Sequence, residues 1–194
     1  MTTLARAATG IGILLALAGC HREPLPVLAT LPPFSLADQH GAPVTADGLR
    51  GTVWVANFIF TRCPDVCPAL TGRMAELQKK VPTGVALVSI SVDPLHDTPE
   101  VLQAYATQHG AGPTWKFLTG PRDAVAALLR DGFKVAYSDD GPAVNPITHS
   151  DRFMLVDRAG RVRGTYHGLE PEAVAKIPGD AAALLAEPVD TPPH

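Results

Sequence analysis

Phe58-Ile59-Phe60-Thr61-Arg62-Cys63-Pro64-Asp65-Val66-Cys67-Pro68 is the stretch that decides the fold. It closes a near-continuous apolar run over residues 53–60, the pattern of a central strand covered on both faces. Pro64 suits the first turn of a helix, where its missing N–H costs nothing. Val66, Leu70, Met74 and Leu77 then recur at three- and four-residue steps, which predicts a helix over residues 66–80. Cys63 and Cys67 are therefore four apart, one at the helix mouth and one a turn in, able to point at the same spot. The positive end of that helix favours thiolate over thiol. A thiolate is both the nucleophile of disulfide exchange and a ligand for soft metals. The pair reads as a redox switch or as two-thirds of a metal site, with a structural disulfide or two buried thiols as the plainer alternative.

Outward from this stretch the elements alternate. Residues 34–45 read as a short hairpin with Gly41 in its turn, and residues 85–92 as a second continuous apolar strand. In the loop 93–98, Asp97 or Thr98 caps a helix over 99–108, with Pro99 in its first position and Glu100 complementing the dipole. Residues 115–118 read as a short strand, and 121–130 as a helix stopped by Gly132. The excursion 133–146, with Asp139-Asp140-Gly141-Pro142, predicts an inserted hairpin. Residues 151–157 and 161–166 read as two antiparallel strands about a tight turn. A last helix opens at Glu170, is broken by Pro178-Gly179, and resumes to Ala186. This order is α/β, a mixed central sheet flanked by helices with an inserted hairpin and an extra N-terminal hairpin. A dithiol where the first long strand meets its helix matches a thioredoxin-like arrangement, an inference by analogy.

The start of the chain has its own pattern. Arg6 is followed by an apolar run over 7–18, too short to span a bilayer core of ~30 Å but right for a signal-peptide core. Leu17-Ala18-Gly19-Cys20 resembles a bacterial lipobox, in which the cysteine is lipidated after cleavage. The expected organisation is a signal peptide at 1–19, a lipidated Cys20 with a Pro-rich tether at 20–33, a domain at 34–187 and a disordered tail at 188–194. That places the domain in the bacterial envelope, lipid-anchored and facing the periplasm or extracytoplasmic space, where thiols are prone to pair. It also accounts for the odd count of three cysteines. A net charge of −3 gives no basic footprint for nucleic acid.

Among seven histidines, His149 stands out because Asn145-Pro146-Ile147-Thr148-His149 delivers it just ahead of a strand. In a thioredoxin-like sheet the loop entering that strand lies beside the dithiol, so an imidazole there could complete a two-sulfur, one-nitrogen site, though spacing alone says little. An ordinary solvated loop histidine is the alternative, and His167 reads as a surface residue. A closed zinc site fits less well, since C-x3-C is off the common spacing and three ligands underfill it.

Together these residues resemble the Sco/SenC family of copper proteins involved in cytochrome c oxidase assembly. The resemblance is carried by residues 60–68, by Ser91-Val92-Asp93-Pro94 with Asp97-Thr98-Pro99, and by His149-Ser150 ahead of Phe153 to Asp157. It spans roughly residues 34–169. Arg62 stands where the family often has histidine, and His96 where it often has arginine. The resemblance implies a thioredoxin-like fold and copper held by Cys63, Cys67 and His149, as Cu(I) and also as Cu(II). Asp93 and Asp97 become candidates for tuning the site, alongside their plainer roles in closing the loop and capping the helix. The implied partners are a copper-receiving oxidase subunit, other periplasmic copper chaperones or thiol reductants. Pairing of Cys63 with Cys67 would abolish binding, which links loading to redox state. The alternative function is a thiol–disulfide oxidoreductase that reduces the oxidase's copper-binding cysteines or acts in redox sensing.

Overall fold

The computed structural model describes residues 23–63, 66–138 and 148–188. Its centre is β4 (Val53–Ile59), every residue of which is buried. Alternation explains how one strand is apolar throughout: Trp54, Ala56 and Phe58 enter one core, while Val53, Val55 and Ile59 enter the other. Parallel to β4 lies β5 (Val85–Ser91), paired in register from Val53↔Val85 to Ile59↔Ser91, and beyond it β6 (Trp115–Thr119). The hairpin β2 (Ser35–Asp38) and β3 (Pro43–Thr45) extends that side antiparallel, with Gly41 at φ 76° in its turn. On the other side β9 (Arg152–Val156) runs antiparallel to β4, followed by β10 (Arg161–His167) and the two-residue β1 (Ala29–Thr30). The sheet order is β1-β10-β9-β4-β5-β6-β2-β3.

Helices cover both faces. On one, α1 (Val66–Gln78), α2 (Pro99–Gln108) and α5 (Ile177–Ala186) bury Leu70, Met74, Leu77, Leu102, Ile177 and Leu184. On the other, α3 (Arg122–Ala127) and its continuation bury Val125, Leu128 and Phe133, with Leu36 and Val44 from the hairpin. The fold is thioredoxin-like: a mixed sheet flanked by helices, with the N-terminal hairpin as an addition. Among the described residues no helix is long and apolar enough to cross a membrane.

Several local expectations change. The Pro-rich segment before residue 34 is docked: Leu28 N–H and Leu31 N–H donate to the Val162 and Gly160 carbonyls, at 2.8 and 2.9 Å, on either side of β1. Gly132 does not stop the third helix. The chain runs on as a π-helical turn over Leu128–Phe133 and is released at Lys134, whose φ is 56°. Gly132 instead makes room, since a Cβ there would lie 3.1 Å from Pro32 and 3.2 Å from Leu31. Pro178 does not break the last helix either. It stands in the first turn of α5, where proline belongs, after a separate short α4 (Pro171–Val174). The inserted excursion pairs β7 (Tyr137–Ser138) antiparallel with β8 (Thr148–His149), so His149 lies within a short strand rather than a loop. Residues 1–22, with the expected signal peptide and lipidated Cys20, residues 64 and 65, residues 139–147 and residues 189–194 of the expected disordered tail lie outside the described residues.

Candidate metal centre

Strand directions bring the candidate residues to one end of the sheet. The C-terminal ends of β4, β5 and β10 and the start of β9 share that end, which in open α/β sheets is where ligands bind. As β4 ends, Val92 N–H donates to the Ile59 carbonyl at 2.8 Å, and the chain turns at Phe60, with Cys63 N–H donating to the Phe60 carbonyl at 3.2 Å. Helix α1 then begins at Val66 and carries Cys67 in its first turn.

Cys63 and Cys67 both carry reduced thiols; Cys63 is 8 % exposed and Cys67 is completely buried. Their side chains lie within hydrogen-bonding reach of each other. The helix end was expected to favour thiolate, and at Cys67 the opposite holds. Burial pushes its thiol well above the ordinary range, the hydrogen bond with Cys63 adds to this, and a backbone hydrogen bond with Phe60 opposes it only in part. In the metal-free protein Cys67 therefore keeps its proton. A soft cation between the sulfurs would supply the compensating charge that burial withholds.

Asp97 and Asp93 divide the roles left open for them. Thr98, not Asp97, caps α2: its hydroxyl accepts Val101 N–H at 3.4 Å. Asp97 is buried and accepts three hydroxyl and amide donors, Thr61 N–H at 3.1 Å, Thr61 Oγ at 2.6 Å and Ser91 Oγ at 2.6 Å. Asp93 closes its own loop, accepting His96 N–H and Asp97 N–H on its carbonyl, while its carboxylate accepts Arg62 at 2.6 Å. Two residues that sequence reasoning passed over also stand here. Tyr105 of α2 shares a 2.9 Å hydrogen bond with Thr71 of α1, one turn after Cys67. Burial pushes the Tyr105 phenol up to about 12; the Thr71 bond pulls it down, and the electrostatic influence of the neighbouring Cys67, Cys63 and Asp97 groups adds to the rise. Thr71 follows Cys67 by four residues on the same helix face, the one signal in the sequence that pointed to this pair.

Packing behind the site is close. A Cβ on Gly168, just past β10, would lie 2.6 Å from the Asp151 carbonyl oxygen and 2.6 Å from Leu70 of α1. His167 faces Asp151, Nδ1 to Oδ2 3.4 Å, and stays partly exposed. Among the described residues no group of three or more His, Cys, Asp or Glu side chains is arranged to hold a metal. Cys63 and Cys67 supply two sulfurs. The third expected ligand, His149, has its backbone in β8, and its side chain lies outside the described residues. Chemically, the pair offers two adjacent soft donors on rigid elements, or a dithiol that closes to a disulfide.

A family model described as SCO1/SenC matches residues 23–178. The crystal structure of a SCO1/SenC family lipoprotein from Bacillus anthracis is 34 % identical, covers 81 % of this chain and 95 % of its own, and superposes with a TM-score of 0.74. BsSco, a member of the Sco family of cytochrome c oxidase assembly proteins in which a disulfide switch was identified, is 30 % identical over 86 % of this chain and all of its own, with a TM-score of 0.76. ScoI of Bradyrhizobium japonicum, solved with copper bound, is 26 % identical over 80 % of this chain and 99 % of its own, with a TM-score of 0.69.

Proposed function

The chain belongs to the SCO1/SenC family, and on that footing we propose that it is a copper chaperone delivering copper to the dinuclear copper site of a haem–copper oxidase. The observation that carries this reading is the pair of adjacent sulfurs, Cys63 and Cys67, buried where β4 turns into α1. Thiolates select Cu(I), and imidazole suits either copper state. Cys63, Cys67 and His149 are the ligands in this reading, and Cu(I) is the form carried, with Cu(II) also accepted. Three ligands at the end of a sheet leave the metal removable by a recipient, as delivery requires. The copper-bound relative supports the cargo, and the relative named for oxidase assembly supports the destination. Cys20 anchors the chain to an envelope membrane by lipid, supported by its lipobox-like context and by the lipoprotein relative.

Loading is under redox control. When Cys63 and Cys67 form a disulfide, their two electrons and two protons pass to a partner disulfide, which opens to two thiols, and no thiolate remains on this chain's pair to bind copper. The closeness of the two sulfurs favours a second reading by the same chemistry. As an oxidoreductase, the dithiol passes two electrons to a disulfide of the recipient, which opens to two thiols while the Cys63–Cys67 bond forms. Deleting the gene in its host distinguishes function from bystander: oxidase activity falls and added copper partly restores it. An oxidase of unchanged activity and copper content contradicts the chaperone role.

A further inference from the structure

The turn carrying Cys63 is tied to the β5–α2 loop at two consecutive residues, and the two ties differ in kind. Arg62 reaches Asp93, but its side chain is 57 % exposed, so this is a rim pair that contributes little. Thr61 reaches Asp97, which is completely buried and takes the Thr61 amide, the Thr61 hydroxyl and the Ser91 hydroxyl on its two oxygens. A buried carboxylate held by neutral donors is costly to keep. The usual reason for an aspartate there, capping the helix, is met by Thr98. What Asp97 does instead is join the end of β5 to the residue two before Cys63.

We propose that Asp97 is the positioning residue of the dithiol: through Thr61 it fixes the turn after β4, and with it the placement of the Cys63 sulfur against Cys67. The inference deepens the functional reading above but rests on its dithiol alone, not on its metal. Disulfide closure is geometrically strict, needing Cβ atoms roughly 3.5–4.5 Å apart. A pair held in reach of each other closes with a high effective molarity, and a pair on a loosened turn does not. Loosening the tie therefore makes the disulfide easier to reduce.

The test is the thiol–disulfide equilibrium of the full chain in glutathione buffers, read by alkylation and mass, for Asp97→Ala, Thr61→Val and Arg62→Ala. Thr61→Val keeps the shape and the backbone N–H and removes only the hydroxyl donor, so it decides alone if Asp97→Ala fails to fold. The expected result is a shift of tenfold or more toward the reduced form in Asp97→Ala and Thr61→Val, about 30 mV for a two-electron couple, and less than twofold in Arg62→Ala. A Thr61→Val equilibrium within twofold of the parent overturns the proposal, whatever its urea midpoint does. So does an Arg62→Ala shift as large as that of Thr61→Val, because any loosening of the turn would then suffice.

Discussion

Tyr105 is partly buried beside the dithiol, bonded to Thr71 at 2.9 Å, and its proton is held there chiefly by desolvation. Its phenol titrates near 12 when folded, against about 10 in an unfolded chain. For an acid with a raised value, the folded state binds the proton more tightly than the unfolded one. The contribution is therefore complete below pH 10 and is lost as pH climbs from 10 toward 12. Tyr105→Phe removes that slope and leaves the buried Thr71 hydroxyl without this partner, at a cost of about 1 kcal/mol. Urea midpoints of parent and variant between pH 9 and 11 check both effects. The parent falls more steeply, and equal slopes contradict the assignment. Asp97 shows why such residues were hard to read. Its neighbours in sequence, Thr98 and Pro99, announce a helix start, which is where an aspartate is usually explained. Its actual partner, Thr61, lies 36 positions earlier and leaves no local mark.

Elements built from local patterns were legible, and those that depend on distant partners were not. The apolar run of β4, the three-and-four spacing of α1 and the Thr98-Pro99 start of α2 each carry their own signature. Strand β1 carries none, because it is two residues long and is held from outside. Arg163, 5 % exposed on β10, donates to the Leu25 and Pro26 carbonyls, up to 138 positions away, and to the carboxylates of Asp157 and Glu187. Burial alone would raise the Asp157 carboxyl. The hydrogen bonds from Arg163 and Arg161 outweigh that and hold it below its ordinary value. Gly132 reads as a helix stop for the same reason, since the Leu31 and Pro32 side chains it admits belong to this docked segment. Arg163→Ala removes one of the two guanidinium partners of the buried Asp157 carboxylate, leaving Arg161 at 2.7 Å, together with the donors to the Leu25 and Pro26 carbonyls, and is expected to cost about 2 kcal/mol. Hydrogen exchange at the Leu28 and Leu31 amides should accelerate with it. A loss under about 0.5 kcal/mol with unchanged exchange at both amides contradicts this account of how the segment is held.

At the scale of the whole molecule, sheet order explains why one motif and one distant histidine belong to a single argument. Parallel β4 and β5 end together, and β9 starts at that same end because it runs antiparallel to β4. The cysteine turn, the Asp93–Asp97 loop and the chain leaving β8 for β9 therefore converge without any of them being adjacent in sequence. The dithiol was readable from spacing. That Cys67 keeps its proton was not, because its position at a helix mouth argued for thiolate while its complete burial, a property of the assembled core, argues for thiol. The most direct measurement is an anaerobic Cu(I) titration of the reduced domain against a competing chelator, beside Cys63→Ala and His149→Ala. The account predicts one tight equivalent, lost in Cys63→Ala and weakened in His149→Ala. No tight equivalent in the reduced parent, together with ready disulfide exchange, contradicts it and makes the dithiol an electron donor.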